Sequence, residues 1–322
     1  MTGRIVSISG ATIRADLAGA RVGDRVFVGR NRLTGEVVRL ERNMTTIQVF
    51  EEVRGLGLGE PVASAGGPLA ASLGPGLLGG IFDGLQRPLN VLRARGGDFV
   101  QSGQDPFPMD RSVEYLFETD RRQGDLVQVG DLLGWVMEGH IRHHVLSPVA
   151  GRLRTLHSGA LGMDDVLAEI EPGGEVRLWH SWSVRQTRPR TTRQVPHVPL
   201  VTGQRCLDFL FPLLKGGVAI VPGGFGTGKT VLEQSIAKFA DVDIVVYVGC
   251  GERGNEMAGL LDEFGDLRDR KSGRPLSERT IIVANTSNMP VAARESSIFT
   301  AVTMAEYYRD MGLDVLLLAD SL

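Results

Sequence analysis

Val218-Ala219-Ile220-Val221-Pro222-Gly223-Gly224-Phe225-Gly226-Thr227-Gly228-Lys229-Thr230 is an apolar run, a glycine-rich loop and a lysine–threonine pair, in that order. The run is strand length, and Pro222 ends it. Thr230-Val231-Leu232-Glu233-Gln234-Ser235-Ile236-Ala237-Lys238-Phe239 follows and spaces Leu232, Ile236 and Phe239 along one face of a helix. The loop at 223–230 matches G-x-x-x-x-G-K-[ST] in the strand–loop–helix context that the pattern requires. Gly223, Gly224, Gly226 and Gly228 would let backbone N–H groups crowd around phosphates, with Phe225 and Thr227 between them. The helix N-terminus adds partial positive charge. Lys229 would reach the β- and γ-phosphates of a nucleoside triphosphate, and the Thr230 hydroxyl would ligate Mg²⁺. Only four lysines occur among the 35 basic residues, so a lysine inside this pattern carries weight.

Around this loop, the grammar from about 200 is alternating strand and helix, which predicts a parallel α/β sheet. Asp243-Ile244-Val245-Val246-Tyr247-Val248-Gly249-Cys250 reads as a buried strand running into Gly251-Glu252-Arg253-Gly254-Asn255-Glu256. In open α/β sheets, ligands bind at the carboxyl ends of strands. Glu252 and Arg253 therefore have two readings. Glu252 can deprotonate an attacking water while Arg253 stabilises a transferring phosphoryl group. Equally, the two can be an exposed pair capping the helix that starts near Asn255. Glu256 reads as structural. Asp314-Val315-Leu316-Leu317-Leu318-Ala319-Asp320 is an apolar strand closing on an acid, the Walker B pattern whose Asp holds Mg²⁺ through water.

The N-terminal part has a different texture. Arg4–Ser9, Arg25–Val28 and Thr46–Phe50 alternate polar and apolar residues between glycine turns, which predicts a small β-barrel over 1–67. Residues 68–109 read as a connector, with Gly79–Leu85 opening a short helix. Residues 110–182 are β-like again and resemble small barrel-sandwich modules of the biotinyl and lipoyl type. They contain no lysine to carry such a cofactor, so an inserted structural module is expected. His140, His143 and His144 lie there without the companions of a metal site. Residues 183–199 carry Arg185, Arg188, Arg190 and Arg193 and no acid; they read as a solvated linker or as a contact with an acidic neighbour. Residues 200–322 form the nucleotide-binding unit.

Composition bounds the rest. The 322 residues are 42% hydrophobic and 23% charged, values of a globular chain of two or three domains. The net charge of −3 gives no global basic field, so nucleic acid is not an expected partner. Two cysteines make no disulfide framework; Cys250, at a strand end, reads as a buried thiol. Met1-Thr2-Gly3-Arg4-Ile5-Val6 lacks the apolar core of a signal peptide, and no apolar run approaches roughly 18 residues. A soluble, cytoplasmic chain is expected, reaching a membrane only through partners.

These residues closely resemble the catalytic A subunit of V-type and A-type rotary ATPases. The resemblance runs from Gly3-Arg4-Ile5-Val6-Ser7-Ile8-Ser9-Gly10 to Asp320-Ser321. It includes Gly74–Gly79, Tyr247–Met257, Asn285–Glu295 and Ala305–Gly312. It implies a multidomain chain: an N-terminal β-barrel, an inserted β-rich bulge module and a RecA-like P-loop domain. It implies ATP and ADP with Mg²⁺ as ligands. It also implies a hexameric ring in which A and B subunits of the ATPase alternate, together with central stalk and peripheral stalk components, and coupling to proton or sodium translocation. Carried over by position, Lys229 and Thr230 handle phosphate and Mg²⁺, Glu252 is the general base, Arg253 contacts phosphate and Asp320 is the Walker B acid. Thr227 stands where some members carry a regulatory cysteine.

The family pattern continues past Ala319-Asp320-Ser321 with Thr-Ser-Arg-Trp and roughly 250 further residues, whereas Leu322 stands here. An incomplete nucleotide domain is therefore expected, through truncation, a frameshift or a partial gene reading. Two other functions remain open: a nucleotide-binding fragment without turnover, and a ring-shaped helicase or export ATPase, against which the module at 110–182 argues.

Overall fold

A computed structural model describes the chain except Asn43, Asp98, residues 190–194, Phe225, residues 270–271, Leu322 and the side chain of Ser321. Strands β1 (Thr2–Ser9), β2 (Thr12–Ala15), β3 (Asp24–Val28), β4 (Leu33–Glu41), β5 (Met44–Val49) and β6 (Pro61–Pro68) close into an antiparallel barrel of order β1-β2-β5-β4-β3-β6. Alternation decides which side chains point inward: Ile13, Val26, Val28, Val37, Ile47 and Val49 are wholly buried and form the barrel's own core.

The chain leaves the barrel through β7 (Ala70–Leu73), β8 (Ile81–Phe82) and α1 (Leu89–Gly96). Gly79–Leu85 does not open a helix as the sequence suggested. Ile81 and Phe82 instead join the parallel sheet of the C-terminal section, pairing with Ile282 and Val283. A two-residue strand carries too little pattern to be read without its partner.

The next section is built from β9 (Glu114–Phe117), β10 (Leu126–Val127), β11 (Leu132–Glu138), β12 (Ile141–Leu146), β13 (Gly151–Leu156), β14 (Gly159–Gly162), β15 (Ala168–Glu171) and β16 (Gly174–Val176). They form a four-stranded sheet, β10-β13-β15-β16, and the pairs β11-β12 and β14-β9. β17 (His180–Ser183) then pairs back onto β7.

The last section contains β18 (Pro199–Leu200), α2 (Arg205–Leu210), β19 (Leu213–Leu214), α3 (Lys229–Phe239), β20 (Ile244–Glu252), α4 (Gly254–Asp266), β21 (Thr280–Thr286), α5 (Val291–Asp310) and β22 (Val315–Ser321). Its sheet runs β22-β20-β21-β8, all parallel. β20 is buried at every position, as a strand covered on both faces must be. Ile244, Val246 and Val248 face Ala301, Met304 and Tyr308 of α5, in a core shared with the sandwich section. Val245 and Tyr247 face Ile236 of α3 and Met257, Leu260 and Phe264 of α4. Phe239, expected on the buried face of α3, is 39% exposed.

The expected strand Val218–Val221 is not one. Residues 217–224 pair with no ladder, and Val218 and Ile220 are 95% and 85% exposed. Four apolar residues between glycine pairs are costly to order, and among the described residues no further strand flanks them. The expected solvated linker also differs. Arg185 makes two contacts with Glu36, at 3.1 and 2.8 Å, and Arg188 Nε meets Asp310 at 2.6 Å. The acidic neighbours lie within the chain itself; Arg190 and Arg193 lie outside the described residues. Among the described residues, no helix is long and apolar enough to cross a membrane.

Candidate functional site

The loop between residue 222 and α3 ends on Gly228, whose φ of +87° sits in the left-handed region at the helix N-cap. A residue with a Cβ is strained there, which is why glycine precedes Lys229. Thr227 Oγ1 donates to Gly224 O at 2.8 Å and Lys229 Nζ donates to Gly223 O at 2.6 Å. The loop is thus folded on itself, with its ammonium on a backbone carbonyl. Gly223, Lys229, Glu233 and Asp320 line one cavity of about 1520 Å³ between the 218–223 segment, α3 and β22. Gly224, Gly226, Gly228 and Thr230 belong to the same turn without lining that cavity, and Phe225 lies outside the described residues.

The acids come from neighbouring strand ends. β20 and β22 run parallel with Gly249 opposite Asp320, and a register shift between Cys250 and Glu252 brings the Glu252 side chain back over the Gly249 face, the one that Asp320 shares. Asp320 is buried and accepts from Tyr247 Oη at 2.9 Å. Glu252 is 2% exposed, and its Oε2 has no hydrogen-bond partner among the described residues. Burial pushes the Glu252 carboxyl up to about 7, helped by a hydrogen bond with Glu256 and by the charges of Asp320 and Glu256. Glu256, read as structural from sequence, is therefore part of the electrostatic setting of Glu252. Arg253 begins α4, half exposed, with Nη1 3.9 Å from Glu256. The two readings of Glu252 and Arg253 divide: Glu252 is no exposed capping residue, while Arg253 does sit at the helix cap.

Two further residues have no role that the sequence patterns assign. Glu233 lies one turn into α3 with a buried, unpartnered Oε2. Its carboxyl is also pushed up to about 7, by burial first and Asp320 second, against the opposing pull of Lys229. Arg294, on the first turn of α5, lies over Gly251; a Cβ at Gly251 would come within 2.6 Å of its Nε. That Nε is buried with no partner among the described residues. The glycine at φ +87° makes room for a guanidinium beside the end of β20. Neither residue belongs to a short motif; only the fold brings it to the strand ends.

Cys250 is buried, its thiol raised by burial, with Ser297 Oγ 3.8 Å away. His143 is fully buried and structural in its bonding: Nδ1 meets Glu138 Oε2 and Nε2 meets Tyr307 Oη, both at 2.7 Å.

Mg²⁺ fits this donor set. The candidate ligands are hard oxygens: the Thr230 hydroxyl and the Asp320 carboxylate, with the unpartnered Oε2 atoms of Glu233 and Glu252 nearby. Burial holds both of these carboxyls up to about 7, and the charge of Asp320 adds to it. Among the described residues, no cluster of three acids or histidines forms a protein cage. Mg²⁺ does not need one, since it usually takes one or two protein ligands together with phosphates and water.

Three family models match successive parts of the chain. The beta-barrel domain of the ATP synthase alpha/beta family covers residues 5–66, the barrel-sandwich domain of ATP synthase alpha/beta subunits covers 107–185, and the family's nucleotide-binding domain covers 203–322. The second A-type ATP synthase A subunit of Methanospirillum hungatei is 52% identical over 100% of this chain and 56% of its own length. The V-type ATP synthase alpha chain of Anaeromyxobacter dehalogenans is likewise 52% identical, over 100% and 56%. The A-type ATP synthase A subunit of Halobacterium salinarum is 50% identical over 99% and 55%. The chain thus spans about half the length of the curated relatives it matches. Among solved structures, the assembled ATPase EscN of the enteropathogenic E. coli type III secretion system superposes with a TM-score of 0.62 at 24% identity. That likeness covers 99% of this chain and 56% of the other, and it speaks to fold alone.

Proposed function

The chain belongs to the ATP synthase alpha/beta family, and from that premise we propose that it is the nucleotide-handling portion of a rotary ATPase catalytic A subunit. The observation that carries the reading is Glu252: a buried carboxyl with an unpartnered oxygen, ending β20 beside the Asp320 end of β22.

In this reading, the β- and γ-phosphates of ATP displace Gly223 O from the Lys229 ammonium. The backbone N–H groups of 223–230 and the N-terminus of α3 hold the remaining charge. Thr230 and Asp320 would hold Mg²⁺, which supplies charge neutralisation on the phosphates. Glu252 accepts the proton of a water whose oxygen bonds to the γ-phosphorus as the bond to the bridging oxygen breaks. Arg253 acts on the phosphate charge, and Arg294 adds a second guanidinium near the same strand end. The assembly is a ring in which this chain alternates with the ATPase's B subunits, joined to central and peripheral stalks. It lies on the cytoplasmic side and meets the ion-conducting rotor only indirectly; nucleic acid is not a partner.

Binding without turnover is the second reading. The 218–221 segment, outside the sheet in this structure, favours it. MgATP turnover by the purified chain distinguishes the two. Turnover that disappears in Glu252→Gln supports the first; binding without turnover leaves the second; failure to bind MgATP or MgADP removes both.

A further inference from the structure

Glu233 is unexplained by phosphate binding or by helix formation. It lies four residues after Lys229 and three after Thr230, so all three share one side of α3. With Lys229, Gly223 and Asp320 it lines the cavity of about 1520 Å³. A glutamate four residues from a lysine on a helix ordinarily pairs with it. Here the ammonium donates to Gly223 O at 2.6 Å instead, and Glu233 Oε2 is buried without a hydrogen-bond partner among the described residues. The cavity is lined by four acids, Glu233, Glu306, Asp314 and Asp320, and three cations, Lys215, Lys229 and Arg309. Lys215 pairs with Asp314 and Arg309 with Glu306, which leaves Glu233 and Asp320 beside a Lys229 ammonium already engaged with backbone.

Charge then sets a selection rule. Nucleotide phosphates entering without a metal add negative charge beside two acids in a partly desolvated space. A divalent cation entering with them offsets that charge, and its bound waters supply donors for an acceptor such as Glu233 Oε2. We propose that Glu233 is a specificity-determining residue that makes this loop discriminate against metal-free nucleotide in favour of the nucleotide–divalent-cation complex. The proposal rests on the nucleotide-binding reading above and assigns Glu233 no part in bond breaking.

Glu233→Gln removes the charge and keeps the shape. The fold should tolerate it, because glutamine has the shape of glutamate and its amide can hydrogen-bond at a position where Oε2 has no partner among the described residues. The probe is ADP carrying a fluorophore on its ribose, titrated at pH 8.5, above the value of about 7 to which the Glu233 carboxyl is raised, into the 322-residue chain with excess Mg²⁺ and, separately, with EDTA. The expected result is that Glu233→Gln tightens metal-free binding by roughly tenfold, as removal of one close, partly screened charge should. Binding with Mg²⁺ should change much less, so the ratio of the two dissociation constants narrows. Glu233→Asp, which keeps the charge, should retain a ratio close to wild type. An unchanged ratio in Glu233→Gln overturns the proposal, as does an equal narrowing in Glu233→Asp. A wild-type chain that binds the probe under neither condition overturns the nucleotide reading itself.

Discussion

Glu252 is buried at the carboxyl end of a strand, and its protonation carries two consequences. A base must be ionised to accept a proton. With its carboxyl near 7, hydrolysis is expected to rise with pH through about 7 and then level off. Glu252→Gln should lower kcat by about 10²–10⁴-fold, the usual worth of a positioned general base. It should leave MgADP affinity within a few-fold, since Lys229 and the loop are untouched. Equal loss of binding and turnover would assign Glu252 to ground-state binding instead. The second consequence is for stability. The folded value, about 7, lies above the ordinary 4.5, so the folded state holds a proton that the unfolded chain has released. That contribution is fully present below about 4.5 and is lost as pH rises through about 7. Thermal melts at pH 5 and pH 8 should therefore separate further for wild type than for Glu252→Gln. Lys229 and Asp320 were placed by short patterns at a helix start and a strand end, whereas spacing left Glu252 with two readings and only its burial separates them. Glu233 and Arg294 were not legible, because a carboxylate inside a helix and an arginine after a proline turn take meaning only from what the sheet places next to them.

At the scale of elements, parallel strands with long apolar runs were readable: β20 and β22 lie within two residues of where hydrophobicity places them. Segments whose structure depends on a neighbour were not. Ile81–Phe82 becomes a strand only because β21 offers an edge. Arg185 and Arg188 looked like solvated charge until Glu36 and Asp310 arrived from more than a hundred residues away in sequence. Val218–Val221 is the opposite case, an apolar run that finds no ladder. It lines the same cavity as Leu316, Leu318 and Asp320 of β22. Phosphates gripped by the loop just after it should restrict this segment and draw it towards that strand, whose outer edge carries no neighbour among the described residues. Hydrogen–deuterium exchange should register the change as slower exchange at 217–221 on addition of MgADP. Exchange in the barrel strands β1–β6 should stay the same. Unchanged exchange at 217–221 with saturating ligand would show that the segment is independent of the loop.

The whole molecule is held together by buried polar joints as much as by its cores. Glu51 accepts from Arg87 at 3.0 Å and from the backbone of Thr34 and Gly103, tying the barrel to the segment that follows β8. Glu138 is the larger joint. Its oxygens accept from Gly76 N at 2.6 Å, Leu78 N at 3.0 Å and Tyr308 Oη at 3.0 Å, and His143 Nδ1 lies 2.7 Å away. Those partners come from three places: the loop after β7, the sandwich strand β12 and the nucleotide domain's α5. The same region shares one apolar core that runs from Leu133 and Val145 to Met304 and Tyr308, whereas the barrel core is separate. Sandwich and nucleotide sections should therefore unfold together. Trp135, Trp179 and Trp182 all lie in or beside the sandwich, so their fluorescence reports that section, while far-UV circular dichroism near 222 nm is dominated by helices such as α5. In urea the two signals should follow one transition. Glu138→Ala leaves several buried donors without an acceptor, at about 1–3 kcal/mol for each such group. It should lower the shared transition by at least about 3 kcal/mol and move both signals together. Two transitions in the wild-type chain, or a Glu138→Ala shift confined to tryptophan fluorescence, would mean that the sandwich is only appended to the nucleotide domain and that its contact with α5 carries no cooperativity.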